Sequence, residues 1–152
     1  MIKILFYNKL LSLLGNTFFL LVVITVTQIQ AGAITVSIPN VKNNNGVVRL
    51  ALYRSAEGFP GDFQKSFYHE SIPAKKDSMT FVLKNIPSGE CAVAIIHDEN
   101  SNNKLDSNFL GKPKEGYGSS NNTKRRFGPP EYEKAKVMLK SKHINLQIFL
   151  NY

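Results

Sequence analysis

The stretch MTFVLKNIPSGECAVAIIHD, residues 79–98, decides the fold class. It reads as strand, turn, strand: an apolar-rich run, then Pro87-Ser88-Gly89, then a second run in which Cys91, Val93 and Ile95 share one face. Two further stretches repeat the pattern. Residues 33–41 and 47–55 flank Asn43-Asn44-Asn45-Gly46, residues that tolerate positive φ, and Val48, Leu50 and Leu52 fall on one face of the second run. That is a hairpin signal. Near the end, residues 135–140 and 143–152 predict a final hairpin across a polar link at Lys142, with Ile144, Leu146, Ile148 and Leu150 alternating against Asn145, Gln147 and Phe149.

No window carries sustained helical periodicity, although residues 61–70 predict one or two helical turns with Asp62 as N-cap. Six or seven short strands without crossover helices predict an all-β protein, a single antiparallel β-sandwich. One segment stands outside this plan. Residues 111–133, GKPKEGYGSSNNTKRRFGPPEYE, hold four Gly and three Pro with no strand pattern. So long a connection in a compact domain predicts an ordered, functional loop. Tyr117, Phe127 and Tyr132 are spaced to pin it to the sheet surface.

The N-terminus has the layout of a secretory signal peptide: Lys3 and Lys9, a mostly apolar run over residues 10–26, and the small residues Ala31-Gly32-Ala33. The uninterrupted apolar part, residues 18–26, is shorter than the roughly 20 residues a membrane-spanning helix needs. Residues 1–33 are therefore expected to be cleaved, after Ala33 or Ala31, leaving residues 34–152 as one domain in the periplasm or secreted. An uncleaved leader would be the chain's expected link to a membrane.

Nineteen Lys and Arg against eleven Asp and Glu give a net charge of +8, which falls to +6 when Lys3 and Lys9 leave with the leader. The cations are scattered apart from Lys124-Arg125-Arg126. This argues against nucleic acid and for either a solvated basic surface or attraction to an anionic envelope polymer. Cys91 is the only cysteine, so no intramolecular disulfide can form. Its strand position makes it a small buried hydrophobe, and no local base or positive charge equips it as a nucleophile.

The strand over residues 90–98 runs into HDENSNNKLDSN, residues 97–108, with three carboxylates and four amides. Counted from Asp98 as position 1, oxygen-bearing side chains stand at positions 3 (Asn100), 5 (Asn102) and 9 (Asp106). Position 7, where a calcium loop uses only its backbone carbonyl, is Lys104, and position 8, Leu105, is an apolar plug. Two departures stand against a calcium loop: Asn103 replaces the glycine at position 6, and Phe109 replaces the bidentate glutamate at position 12. Glu99 or Glu115 would have to complete such a shell.

Three readings stay open for the loop. It is an Asx-rich turn held by its own hydrogen bonds, a weak calcium site, or a catalytic acid and base pair drawn from Asp98, Glu99 and Glu115. His97 and Asp98 are neighbours on a strand and point to opposite faces, so His97 is read as structural. His69, His97 and His143 lack the spacing of a zinc site.

The run IPSGECAVAIIHDENSNNKLDSNFLGKPKEGYGSSNN, followed by FGPPEYEKAKV and a strand ending at Tyr152, resembles the bacterial family called domain of unknown function 2141. That family's pattern is similar to P-x-G-x-Y-A-(apolar)-H-D-x-N-x-N-x-x-x-D, then G-x-P-x-E-G-Y-G-x-S-N and G-P-P-x-(F/Y)-x-x-A. Cys91 stands where the family usually has Tyr. The resemblance implies an exported transthyretin-like sandwich and no particular activity. It also implies that Glu115, Tyr117, Ser120 and Asn121 gather near the Asp-Asn loop as a binding surface. The functional expectation is a non-enzymatic envelope module whose polar end is an ion-stabilised scaffold or a recognition surface for an anionic polymer or another envelope protein. A hydrolase acting on an envelope glycan or peptide is the alternative.

Overall fold

A computed structural model describes residues 31–125, 128–140 and 143–152. The expected leader, apart from its last three residues, lies outside the described residues, as do Arg126, Phe127 and Lys142. Eight strands form among the described residues: β1 Ala31–Val41, β2 Val47–Tyr53, β3 Tyr68–Pro73, β4 Asp77–Pro87, β5 Gly89–Asp98, β6 Gly116–Ser119, β7 Val137–Leu139 and β8 His143–Gln147. Among the described residues the α-helix is the single turn α1, Tyr132–Ala135. None of the described helices is long and apolar enough to cross a membrane.

The strands make two sheets, one ordered β4-β1-β8 and the other β3-β2-β5-β6, with β7 also on β5. Alternation brings one face of each sheet to a shared core. Ile34, Val36 and Ile38 of β1 and Phe81 and Leu83 of β4 meet Val48, Leu50 and Leu52 of β2 and Cys91, Val93 and Ile95 of β5. Burying each of these larger side chains contributes about 1.5 to 3 kcal/mol. The other face of β2 and β5 is covered as well. Ala51, Tyr53, Ala92, Ala94 and Ile96 pack beneath Phe63, Tyr132 and Ala135, with Phe59 and Leu105 at the margin. The segment over 111–133 thus returns to the sheet through Tyr132, whose ring meets Phe59 edge-on at 5.8 Å.

The hairpin expectations are overturned. Asn43–Gly46, Pro87–Gly89 and the link after Leu139 each carry the chain from one sheet to the other. Two strands that bury one face in a common core show the same alternation whether they pair or face each other, so pattern alone does not choose. At Pro87-Ser88-Gly89 the crossing is clamped by Arg54, whose guanidinium donates to the carbonyls of Pro87 at 2.7 Å and Ser88 at 3.0 Å. The ladders are not all antiparallel either, since β8 runs parallel to β1 from Ala33 opposite His143 to Ser37 opposite Gln147.

The helical turn expected in residues 61–70 is a 3-10 turn at Phe63–Lys65, with Asp62 capping the Gln64 N–H. The chain then extends into β3, because Tyr68 and Ile72 pack on the core from alternate positions. β6 likewise forms inside the segment expected to lack strands. Ala31 and Gly32 pair with Pro87 and Ile86, so β1 starts ahead of the boundary expected at residue 33.

Candidate functional site

At one end of β5 the alternation splits two neighbouring polar residues. His97 points into the core side and Asp98 to the opposite face, both fully buried. His97 is a tie between segments. Its Nε2 lies 2.9 Å from the Asn45 carbonyl, which can only accept, and its Nδ1 lies 2.8 Å from the Tyr152 hydroxyl. That assigns the ring proton to Nε2 and makes Tyr152 the donor to Nδ1. The same Tyr152 oxygen accepts from the Lys42 N–H at 2.9 Å. Burial pushes the Tyr152 hydroxyl pKa up, while the Lys42 N–H pulls it down, so the proton needed for this chain of bonds is kept. Gly116 permits the approach, since a Cβ there would stand 2.5 Å from the Tyr152 ring.

Asp98 accepts from the backbone N–H groups of Asn102 at 3.0 Å and Asn103 at 2.8 Å. Arg49 of β2 brings its Nη1 to 3.7 Å from Asp98 Oδ2 and lies 4.5 Å over the Phe63 ring. Glu115, also buried, bridges the two ends of the loop, accepting from Glu99 N–H and Asp106 N–H at 2.9 Å each. Glu99 accepts from Asn43 at 2.7 Å and stands 3.5 Å from Lys42 Nζ. The left-handed backbone at Asn103, φ 67°, matches the turn expected there, and Leu105 packs on the sheet's outer face.

Of the four side chains with ligand-like spacing, Asn100 and Asn102 both donate to Asp106, at 2.8 and 3.1 Å, while the Asp98 oxygens are taken by the N–H groups of Asn102 and Asn103 and by Arg49. Lys104 uses its N–H on Asn102 Oδ1 at 2.9 Å, and Asn100 Oδ1 accepts from Asn102 N–H at 3.1 Å. The amide oxygens are therefore engaged within the loop. No three His, Cys, Asp or Glu among the described residues gather as a metal site.

Of the expected binding-surface residues, Glu115 is buried in the bridge just described. Ser120 is buried between β5 and α1, its hydroxyl 2.6 Å from the Ala135 carbonyl and 3.0 Å from the Val93 N–H. Asn121 donates to the carbonyls of Lys134 at 3.0 Å and Lys136 at 3.1 Å. Tyr117 is the one of the four that lines an open groove of about 640 Å³ between the loops on either side of β6. Lys104, Lys112 and Arg125 also line it, over a floor including Ala94 and Ile96, and no described acid does. Cys91 has no part in this end of the molecule, and burial raises its thiol pKa.

These observations define an all-β protein of two sheets whose polar end is a hydrogen-bonded loop system. The chain belongs to the family described as an uncharacterized protein conserved in bacteria, domain of unknown function 2141, which matches residues 36–147. No curated protein and no solved structure matches it.

Proposed function

We propose that the protein is an exported, non-enzymatic recognition module, a transthyretin-like sandwich whose polar end is a self-supporting scaffold and whose groove takes an anionic envelope polymer. The observation that carries this reading is the use of the acids: Asp98 and Glu115 are buried and each holds two backbone N–H groups. Acids engaged this way position a loop. The groove bordered by Lys104, Lys112 and Arg125 supplies the complementary charge. Neither Lys104 nor Lys112 forms an ion pair among the described residues, and Arg125 meets Glu131 at 3.5 Å on the surface. Titration of an anionic polymer should give binding that weakens with salt and with Lys104→Gln, Lys112→Gln and Arg125→Gln together. Binding unchanged by either would sink the reading.

A second reading, a weak calcium site, is favoured by the convergence of Asn100 and Asn102 on Asp106. Rotating both amides would turn oxygens toward Asp106 at the expense of the two loop hydrogen bonds they now accept. A rise in melting temperature at millimolar calcium that Asp106→Asn abolishes would establish it, and an unchanged melt would remove it. The hydrolase alternative requires a free carboxylate among Asp98, Glu99 and Glu115, and each has partners. Equal turnover by wild type and by Asp98→Asn with Glu115→Gln, on a broad glycan and peptide panel, would end it.

A further inference from the structure

Phe109, which occupies the place of a calcium loop's closing glutamate, is 95% exposed, and its neighbour Leu110 is 77% exposed. They sit at the tip of a tight turn. The Asn108 side chain accepts from the N–H groups of Leu110 and Lys112 at 3.0 Å each, Asn108 N–H donates to the Lys112 carbonyl at 2.8 Å, and Gly111, φ 76°, donates back to Asn108 at 2.9 Å. Ser107 and Pro113 close the base as a β-bridge. Two large apolar side chains are thus held outward on an ordered backbone, with little left to order on contact.

The unpaired charge around the tip is positive. Lys104, Lys112 and Lys114 are exposed, while of the nearby acids Glu115 is buried in its bridge and Asp106, half-buried, accepts from the two amides. We propose that this tip docks on an anionic phospholipid surface, Phe109 and Leu110 entering the headgroup boundary and the three lysines meeting lipid phosphates. A convex apolar pair ringed by cations suits a deformable charged interface better than a preformed protein pocket. Leu110, Lys104 and Lys112 also border the groove, so tip and groove share these side chains, and of the apolar pair only Phe109 reports on the tip alone.

The chain has no tryptophan, so Phe109→Trp supplies a single emitter at the tip. In the full chain its emission should shift to the blue with phosphatidylglycerol vesicles and be quenched by brominated acyl chains, with little change on phosphatidylcholine. Lys104→Gln, Lys112→Gln and Lys114→Gln in that background should lower the vesicle partition coefficient about tenfold or more. Val82→Trp, on an exposed position of β4, should not shift, which separates the tip from any contribution of the N-terminal segment. No shift for Phe109→Trp, an equal shift on neutral vesicles, or an equal shift for Val82→Trp would each overturn the proposal, provided the β-sheet circular dichroism of the variants is retained.

Discussion

The carboxylate of Asp98 and the guanidinium of Arg49 face each other at 3.7 Å beneath the polar loop, with Asp98 fully buried and Arg49 stacked on Phe63. Arg49 Nε and Nη1 have no hydrogen-bond partner of their own. The two substitutions should therefore be unequal. Asp98→Ala leaves a buried cation uncompensated and two loop N–H groups open, at a cost of about 3 to 5 kcal/mol. Arg49→Met leaves Asp98 with both N–H donors and keeps the packing on Phe63, so the loss should be about 1 to 2 kcal/mol. Urea unfolding at unchanged m-value measures both.

Glu115 makes a more local prediction. Glu115→Gln retains one carbonyl oxygen for the two N–H groups the carboxylate now serves, so one end of the loop is released. The cost should be about 1 to 2 kcal/mol, with amide exchange accelerated at Glu99 or Asp106 and unchanged in the core of β5.

Tyr53 sets an alkaline limit. Its hydroxyl is buried against the Pro60 carbonyl at 3.2 Å, and its pKa is pushed up to about 12, first by burial and then by Asp62. The folded state then holds a proton that the unfolded state releases near 10. Stability is intact below about pH 10 and falls as pH rises toward 12, by at most roughly 2 to 3 kcal/mol. Tyr53→Phe should flatten this part of the stability profile while lowering stability slightly at neutral pH. A decline equally steep in the variant would contradict the assignment.

Tyr152 tests the tie at the end of β5. Tyr152→Phe removes the donor to His97 Nδ1 and the acceptor of Lys42 N–H, and should cost about 1 to 2 kcal/mol. A shift of the His97 ring resonances, read by NMR, should accompany it.

The sequence made the one-sided strands and the turn residues between them readable, because alternation and Asn, Gly and Pro each have a local physical cause. It did not reveal which strands pair. Asn43–Gly46 and Pro87–Gly89 look alike as hairpin turns and as crossings between sheets, and only the packing of both sheets on one core distinguishes them. β3 is hidden because the Asp62 N-cap points to helical turns over residues 61–70, a window that takes in the first three residues of the strand. At the polar end, ligand-like spacing and Asx-turn chemistry use the same residues, so spacing alone did not separate them. A lone arginine, Arg49, in the apolar run VVRLALY is the sequence's signal for a buried partner. Phe109 and Leu110 were equally readable, as an apolar pair inside an Asn to Gly turn.

The central claim is that the polar loop holds itself, and amide exchange in the presence of a calcium chelator tests it most directly. The N–H groups of Glu99, Asn102, Asn103 and Asp106, each bonded to a buried carboxylate, should exchange slowly with chelator present and no more slowly when calcium is restored. Rapid exchange at all four that becomes slow only on adding calcium would contradict the account and make the loop an ion-ordered site.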